Sequence, residues 1–316
     1  MTGAERKDVW ASGDAYEPYV GRWSRLVANQ FLQWLAIPPG LDWLDVGCGT
    51  GALTQTILRE ADPARVVGVD PSAAFVAHAA AHVTDPRATF RIGDAQALPV
   101  SADEMNVSVA GLVINFVPDQ RKAVAEMARV TKPGGTIAAY VWDYAGEMQM
   151  MRRFWDAAVA LSPAAKELDE GIRFPVCRPE ALQDLFRKAG LEQISSRAID
   201  APTIFKDFED YWTPFLGGQA PAPAYCMSLS EHDRAALRER IRGSLPIRDD
   251  GSIHLIARAW AIKGSVGTER CSPESLEDVA DARRSQSHRG HIRVPGRLRR
   301  RLEPSRHGYD HVGYDR

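Results

Sequence analysis

The feature that most constrains this chain is a glycine-rich turn between an apolar run and a helix-like segment. Residues 41–54 read LDWLDVGCGTGALT and place Gly47, Gly49 and Gly51 at two-residue spacing. A strand that leads into a glycine turn and then into the N-terminus of a helix is the usual nucleotide site of open α/β sheets. The segment therefore predicts an α/β fold with a ligand held at this turn.

An acidic residue before the turn separates two kinds of ligand. The dinucleotide pattern is G-x-G-x-x-G, whereas here Asp45 stands two residues before an alternating series of glycines. Asp45 can accept a hydrogen bond from an ammonium group but would repel a pyrophosphate. The pattern favours a cofactor with an amino-acid end and no phosphates, and it argues against a nicotinamide-dependent oxidoreductase.

Two more acidic residues follow predicted strands. The apolar run 66–69 ends at Asp70, close to the position expected for an acceptor of ribose hydroxyl groups. The run 88–92 is followed by Asp94 and Ala95, where an adenine amino group could donate to the carboxylate. The sequence therefore predicts three acceptors in chain order at the same edge of one sheet.

The series DVGCGTG, VVGVDPS and GDAQALP resembles the class I S-adenosylmethionine-dependent methyltransferases, in particular the branch that includes the ubiquinone and menaquinone C-methyltransferases. The resemblance covers about residues 15–264 of the chain, the usual length of one such domain. It implies that Asp45 and the loop 47–51 bind the methionine end of S-adenosyl-L-methionine. It also implies that Asp70 binds the ribose and that Asp94 with Ala95 binds the adenine.

The N-terminal segment AYEPYVGRWSR resembles the part of this family that folds over the cofactor. Tyr19 or Arg25 is expected to reach the cofactor carboxylate. Arg25 is preferred, because a guanidinium group binds a carboxylate through two parallel hydrogen bonds.

Strand and helix patterns alternate along most of the chain. Helical spacing from Trp23 to Leu35 precedes the first strand, and a fifth strand is expected at 136–142 after the break at 132–135. A sixth strand is expected at 191–201 and a seventh at 252–263. The pattern predicts a Rossmann-like, doubly wound α/β sheet of seven strands, parallel with an antiparallel last strand, and with helical lid insertions.

The chain divides by composition into one domain and a tail. We expect a methyltransferase domain over residues 1–264, with lid insertions at 143–178 and 203–250. Residues 265–316 hold eleven arginines, no lysine and eight acidic residues. Because apolar residues are sparse there, we expect this basic segment to be a disordered tail.

The two insertions are rich in aromatic residues, which favours a lid over an apolar ligand. The predicted substrate pocket consists of Trp142, Tyr144, Phe174 and Trp212. A sulfonium cofactor carries an activated methyl group, so the enzyme mainly aligns the acceptor for in-line displacement and excludes water. Only some acceptors need a general base, and Asp143 is the candidate, with an ordinary solvated acid as the alternative.

These features favour methyl transfer to a small, largely apolar or aromatic acceptor. Nucleic-acid amino methyltransferases of this fold generally carry an (N/D)PP(Y/F/W) loop after the fourth strand, where this chain reads AGLV. A nucleic-acid partner is therefore not expected, although it remains the rival substrate class. A non-catalytic regulator that binds S-adenosylmethionine is a third hypothesis, since intact cofactor motifs alone do not demonstrate turnover.

The composition is that of a soluble, cytoplasmic protein, with 45% hydrophobic and 25% charged residues and a net charge of -2. No apolar run is long enough for a membrane span. The four cysteines are widely spaced, as in proteins of a reducing compartment. His78 and His82 are four residues apart on a predicted helix, but no third ligand is near them, so no metal site is expected. The sequence leaves the oligomeric state open.

Overall fold

Strands and helices alternate through the described part of the chain, which comprises residues 21–218 and 220–268 of the computed structural model. One seven-stranded sheet has the order β3-β2-β1-β4-β5-β7-β6. Its strands are β1 Asp42–Val46, β2 Arg65–Asp70, β3 Ala88–Ile92, β4 Met105–Gly111, β5 Thr131–Trp142, β6 Glu192–Phe205 and β7 Ile253–Ser265. β7 runs antiparallel to both of its neighbours, and the other pairs are parallel. The predicted Rossmann-like α/β fold is confirmed.

Helices lie before and between these strands. They are α1 Arg22–Leu35, α2 Ala52–Glu60, α3 Ala73–His82, α4 Gln120–Val130, α5 Gln149–Leu161, α6 Glu170–Arg173, α7 Pro179–Lys188, α8 Phe208–Trp212, α9 Pro221–Ser228 and α10 Glu231–Ser244. Short 3-10 turns stand at Ile114–Phe116, Pro163–Leu168, Pro175–Cys177 and Thr213–Gly217. Within the described residues, none of these helices combines the length and the hydropathy that a membrane span requires.

Two helix starts follow directly from capping side chains. The Ser72 hydroxyl accepts a hydrogen bond from the backbone N–H of Phe75 at the start of α3. The Asp119 carboxylate accepts one from the backbone N–H of Lys122 at the start of α4. Each cap satisfies a backbone donor that the first turn of a helix leaves without a partner. Both helix starts are thus fixed by side chains within three residues of the donors that they satisfy.

The central strands are apolar on both faces because helices cover both sides of the sheet. Leu44 and Val46 of β1 are fully buried, as are Val107 and Val109 of the neighbouring β4. Such continuous burial fixes the register of the strands, and hence where each strand ends relative to its neighbours in the sheet.

Two strands are longer than the sequence pattern predicts. β5 starts at Thr131 rather than at 136, with a register shift against β4 in the stretch predicted as a break. The backbone N–H of Gly134 in that stretch donates to Val266 O, so residues after β7 support it. β6 continues to Phe205 because β7 pairs with it along its whole length, with Phe205 opposite Ile253.

The helices of segments 143–178 and 203–250 pack against each other. The rings of Phe154 on α5 and Phe215 are stacked with their centroids 4.5 Å apart. The Tyr211 hydroxyl on α8 donates to Met150 O over 2.7 Å. Much of the aromatic content of these segments is therefore packed together. We call this part of the core the lid core; it comprises Phe154, Trp155, Phe208, Tyr211, Trp212, Phe215 and Tyr225.

Candidate active site

A cavity of about 350 Å³ lies at the carboxyl ends of β1, β2, β4 and β5. β1 stands between β2 and β4, where the strand order reverses, and ligands of open α/β sheets bind at such a switch point. The side chains and backbone that line it include Asp45, Gly47, Cys48, Gly49, Leu53, Asp70, Phe75, Gly111, Val113, Phe116, Tyr140, Trp142, Tyr144, Met151 and Glu170. The cavity therefore joins the glycine turn to the segments predicted as a lid.

The three glycines of the turn have positive φ angles but different surroundings. At Gly47, with φ of 70°, an added Cβ would collide with the side chain of Val113. At Gly49, with φ of 53°, an added Cβ would meet nothing within 4 Å. Gly51 precedes α2 with φ of 87° and does not line the cavity. Only glycine adopts such angles at little cost, and the open space beside Gly49 is the cavity itself.

Asp45 at the end of β1 offers the cavity an acceptor that is not in use. It is 1% exposed, and its Oδ2 accepts a hydrogen bond from the Thr54 hydroxyl over 2.7 Å. Its Oδ1 is buried and accepts no hydrogen bond from any described residue. Burial, together with the nearby charge of Asp70, raises the pKa of Asp45 to about 7, against the opposing effect of Thr54. A ligand that brings a donor or a positive charge would satisfy this oxygen.

Asp70 at the end of β2 ties two turns together. Its Oδ2 accepts from the backbone N–H of Gly49 over 3.0 Å, and its Oδ1 accepts from that of Ser72 over 2.9 Å. Burial raises the pKa of Asp70, although these two hydrogen bonds oppose the shift. The carboxylate is thus held in one orientation at the wall of the cavity.

The other predicted cofactor contacts lie outside the cavity lining. The exposed carboxylate of Asp94 accepts hydrogen bonds from the backbone and the side chain of Gln96, and Ala95 is buried behind it. Arg25 is exposed on α1 and does not line the cavity. Tyr19 lies outside the described residues. The roles assigned to these residues stay predictions.

The predicted substrate residues are divided between the cavity and the lid core. Trp142 and Tyr144 line the cavity. Phe174 stands behind that wall, with its ring centroid 5.1 Å from that of Phe116 and 5.7 Å from that of Tyr144. Trp212 does not line the cavity, because α8 turns it onto Phe208 in the lid core.

Asp143, the candidate base, holds a turn after β5. Its Oδ2 accepts from the backbone N–H of Glu147 over 2.9 Å, and its backbone carbonyl accepts from that of Gly146. An added Cβ at Gly146 would lie 2.6 Å from the same carboxylate. Asp143 is outside the cavity lining, so its position supports a role in the turn.

Sequence reasoning missed another carboxyl group, that of Glu170 on α6, which lines the cavity and is 1% exposed. Burial raises the pKa of Glu170 to about 8, with the Trp155 indole opposing the shift. No local pattern distinguishes it from exposed acids such as Glu167, because its burial depends on how the lid helices pack.

Neither Cys48 nor the pair His78 and His82 adds further chemistry to the site. Cys48 lines the cavity, but burial raises the pKa of its thiol, which leaves it a poor nucleophile near neutral pH. The rings of His78 and His82 are stacked with centroids 4.0 Å apart. Among residues 21–218 and 220–268, no three histidine, cysteine, aspartate or glutamate side chains are grouped as a metal site would need.

Known proteins resemble the part of the chain that holds the glycine turn. Residues 44–139 match the family model described as a methyltransferase domain. Trans-aconitate 2-methyltransferase of Deinococcus radiodurans is 28% identical over 207 residues, which are 64% of this chain and 77% of that protein. The 2-methyl-6-phytyl-1,4-hydroquinone methyltransferase of Synechocystis is 30% identical over 125 residues, which are 39% of each protein.

The fold also has solved counterparts. The structure of Haemonchus contortus phosphoethanolamine N-methyltransferase 2 in complex with S-adenosyl-L-methionine matches with a TM-score of 0.51 at 18% identity. That match covers 81% of this chain and 56% of the other. The chain spans between 34% and 58% of the length of the first curated relatives that it matches.

Proposed function

We propose that this chain, which carries a class I S-adenosylmethionine-dependent methyltransferase domain, moves the methyl group of its cofactor to a small, largely apolar or aromatic acceptor. The cofactor of this domain is S-adenosyl-L-methionine. When bound, the cofactor supplies a methyl group already activated on sulfur. The residues of the chain then have to bind it, orient the acceptor in line with the methyl–sulfur bond, and exclude water.

The groups at the glycine turn support this position for the cofactor. The unused Oδ1 of Asp45 would accept from the ammonium group of the methionine part, and the open space beside Gly49 leaves room for its backbone atoms. Asp70, at the end of the neighbouring strand, would accept from the ribose hydroxyl groups. The assignment of Asp45 rests on the cost of leaving a buried acceptor without a hydrogen bond, a cost that the cofactor's ammonium group would remove.

The observation that carries the proposal for the acceptor is that the same cavity has an apolar, aromatic wall. Phe116, Tyr140, Trp142, Tyr144 and Met151 line it together with the glycine turn. Such walls bury flat, apolar molecules and keep water away from the reacting atoms. A nucleic acid would instead need a positively charged surface for its phosphates.

Two of the relatives support a small acceptor. One is named for trans-aconitate and another for a phytyl hydroquinone, both of them small molecules. The hydroquinone relative also supports the finer proposal that the chain is related to the quinone C-methyltransferase branch. We propose cytoplasmic action on a soluble or weakly partitioning acceptor.

Removal of the Asp70 carboxylate tests the cofactor site. In Asp70→Ala two ribose hydroxyl groups lose their acceptor, so affinity for S-adenosylmethionine should fall by about 1 to 3 kcal/mol in calorimetry. The exposed loop acid Asp249 provides the control, since Asp249→Ala should bind like the wild type. Unchanged binding in Asp70→Ala would contradict the site assignment.

The acceptor is identified by mass spectrometry. Cell extract is incubated with S-adenosylmethionine and wild-type protein or Asp70→Ala, and small molecules that gain one methyl group only with the wild type are the products. Methylation of only RNA, DNA or protein would favour the nucleic-acid or another polymer alternative. Cofactor binding without any methylated product would favour a non-catalytic regulator.

A further inference from the structure

One carboxyl group in the cavity lining is not assigned to the cofactor. Asp45 and Asp70 stand at strand ends beside the glycine turn, whereas Glu170 comes from the 143–178 segment. Tyr144 and Met151 of the same segment line the cavity with it. Glu170 is thus an ionisable group among the apolar side chains that enclose the acceptor.

The position of Glu170 is tightly held. The indole N–H of Trp155 on α5 donates to its Oε2. The preceding residue, Asp169, binds the Arg152 guanidinium through both carboxylate oxygens, at 3.0 and 2.6 Å. Arg152 also donates to Tyr144 O over 3.1 Å, so α5, α6 and the cavity wall form one connected unit. A group held this way can be aimed at a reacting atom without a further loss of entropy.

Its surroundings suit transfer of a proton near neutral pH. Asp169 and Arg173 act on it from its own segment, and Arg152 pairs with Asp169. Glu170 and Asp143 both act on the Cys177 thiol. The other titratable residues of the same cavity lining are Asp45, Cys48, Asp70, Tyr140 and Tyr144. Burial is the main influence and favours the neutral carboxyl group, with a pKa of about 8. A carboxylate with this basicity can take a proton from a phenol or an enol in concert with bond formation, whereas an ordinary carboxylate is too weak a base.

We propose that Glu170 is a catalytic residue that hydrogen-bonds a phenol or enol hydroxyl group of the acceptor and accepts its proton during methyl transfer. The proposal rests on the proposed function. The acceptor O–H bond breaks and its proton passes to a Glu170 oxygen. The oxygen electron pair forms the new O–CH₃ bond, while the methyl–sulfur bond breaks with its electron pair left on sulfur, giving S-adenosylhomocysteine. Water then takes the proton from Glu170.

This chemistry selects among acceptors. A carboxylic acid is already ionised and would be repelled by an ionised Glu170, and an aliphatic alcohol is too weak an acid for this base. A phenol or an enol has a proton of matching acidity and a flat body that fits against Trp142 and Tyr144. The predicted acceptor is therefore a hydroxylated aromatic or enolic molecule.

The variant Glu170→Gln tests the proton transfer, with Glu167→Gln, an exposed glutamate three residues earlier, as the matched control. The amide of Glu170→Gln keeps an oxygen for the Trp155 indole but cannot take a proton. With a panel of phenols and naphthols, kcat should fall by about 100-fold or more while KM changes little. In the wild type and in Glu167→Gln, kcat/KM should rise with pH to a plateau above about pH 8, and this rise should be absent from Glu170→Gln. Melting temperatures establish that each variant is folded.

A binding measurement without methyl transfer provides an independent readout. The probe is para-nitrophenol, whose phenolate band reports its protonation when bound. Neutral Glu170 donates to a bound phenolate, whereas ionised Glu170 repels it. Affinity for the phenolate should therefore fall by about tenfold per pH unit above about pH 8 in the wild type, but not in Glu170→Gln.

The outcomes separate the two proposals. If S-adenosylmethionine binds and phenols are methylated equally by wild type and Glu170→Gln with the same pH profile, Glu170 is not the base and the proposed function stands. If only amines, thiols or carboxylates are methylated, or if phenolate binding has the same pH dependence in both proteins, the proposal for Glu170 is overturned. If S-adenosylmethionine does not bind, the proposed function itself fails.

Discussion

At the scale of single residues, Asp45 should couple cofactor binding to pH. The ionised carboxylate binds an ammonium group, but with a pKa of about 7 part of Asp45 is protonated at neutral pH in the free protein. Affinity for S-adenosylmethionine should therefore weaken as pH falls, approaching about tenfold per pH unit below the pKa. Calorimetry between about pH 6 and about pH 8 would measure this.

The variant Asp45→Asn is the control for this pH dependence. It keeps an acceptor for the Thr54 hydroxyl but has no charge to lose, so its affinity should be lower and nearly constant over the same pH range. A wild-type affinity that does not change across this range would contradict the role of Asp45.

Replacing Gly49 should weaken cofactor binding in addition to lowering the stability of the fold. Gly49 and Gly190 both have positive φ, 53° and 77°, and an added Cβ meets nothing within 4 Å at either. Alanine at each position should lower the free energy of unfolding by about 1 to 2 kcal/mol, the cost of this backbone region for a residue with a Cβ. Only Gly49→Ala should also weaken S-adenosylmethionine binding, because its methyl group enters the cavity. Equal cofactor affinity in the two variants would be evidence against a ligand at Gly49.

The sequence predicted the positions of side chains at strand ends better than those of side chains placed by contacts between distant segments. Asp45 and Asp70 end adjacent parallel strands, so sequence spacing alone predicts that they meet at one edge. Asp94 also follows a strand, yet its carboxylate is directed to Gln96, a local preference that spacing does not reveal. Glu170 is buried by contacts between segments distant from any motif, so no sequence signal marked it.

At the scale of elements, the pairing of Arg152 with Asp169 should hold the lid segment together. Asp169 is 4% exposed and also accepts from the backbone N–H of Gly171. In Arg152→Gln a buried carboxylate loses its charged partner, so the free energy of unfolding should fall by about 3 kcal/mol in chemical denaturation. Activity should fall as well, because Glu170 follows Asp169 directly.

A surface ion pair provides the comparison for Arg152. Arg187 and Asp184 are joined at 3.5 Å, but their side chains are 64% and 46% exposed. Water screens such a pair, so Arg187→Gln should change the free energy of unfolding by less than about 1 kcal/mol. Similar losses in the two variants would mean that the Arg152 pair contributes no more than a surface contact.

The sequence indicates where helices start more directly than it indicates which side chains of the lid segments touch each other. Ser72 and Asp119 cap α3 and α4 by contacts within four residues, which a sequence displays directly. The end of β6 was placed four residues early, because its extension depends on β7 pairing from far along the chain. The aromatic content of the two segments indicated a lid but not which rings face the cavity. Trp212, predicted as a pocket residue, instead packs on Phe208 in the lid core.

At the scale of the whole molecule, the point where the domain ends can be tested by shortening the chain. We predict from composition that the basic tail is dispensable for cofactor binding and, beyond Ser265–Thr268, also for folding; the residues after Thr268 lie outside the described part of the chain. A chain ending at Thr268 should keep the melting temperature and the cofactor affinity of the full chain. Insolubility or loss of cofactor binding would assign the tail to the fold.

A chain ending at Gly264 should be less stable than one ending at Thr268. Ser265 is the last residue of β7 and pairs with Thr136 and Glu192. The backbone N–H of Val266 donates to Gly135 O, and its carbonyl accepts from Gly134. Each lost hydrogen bond should lower the free energy of unfolding by about 1 kcal/mol. The melting temperature should therefore fall by a few degrees.

The place of β7 in the sheet also determines when this protein can finish folding during synthesis. β7 lies between β5 and β6, although it is the last strand of the described residues. While the ribosome is still making residues 253–265, β6 has no neighbour in the sheet, and fourteen residues of strand-forming backbone are open to pairing with other chains. Nascent or prematurely terminated chains that stop before β7 should therefore be the species that chaperones bind and that aggregate, even though every residue of the glycine turn is already present.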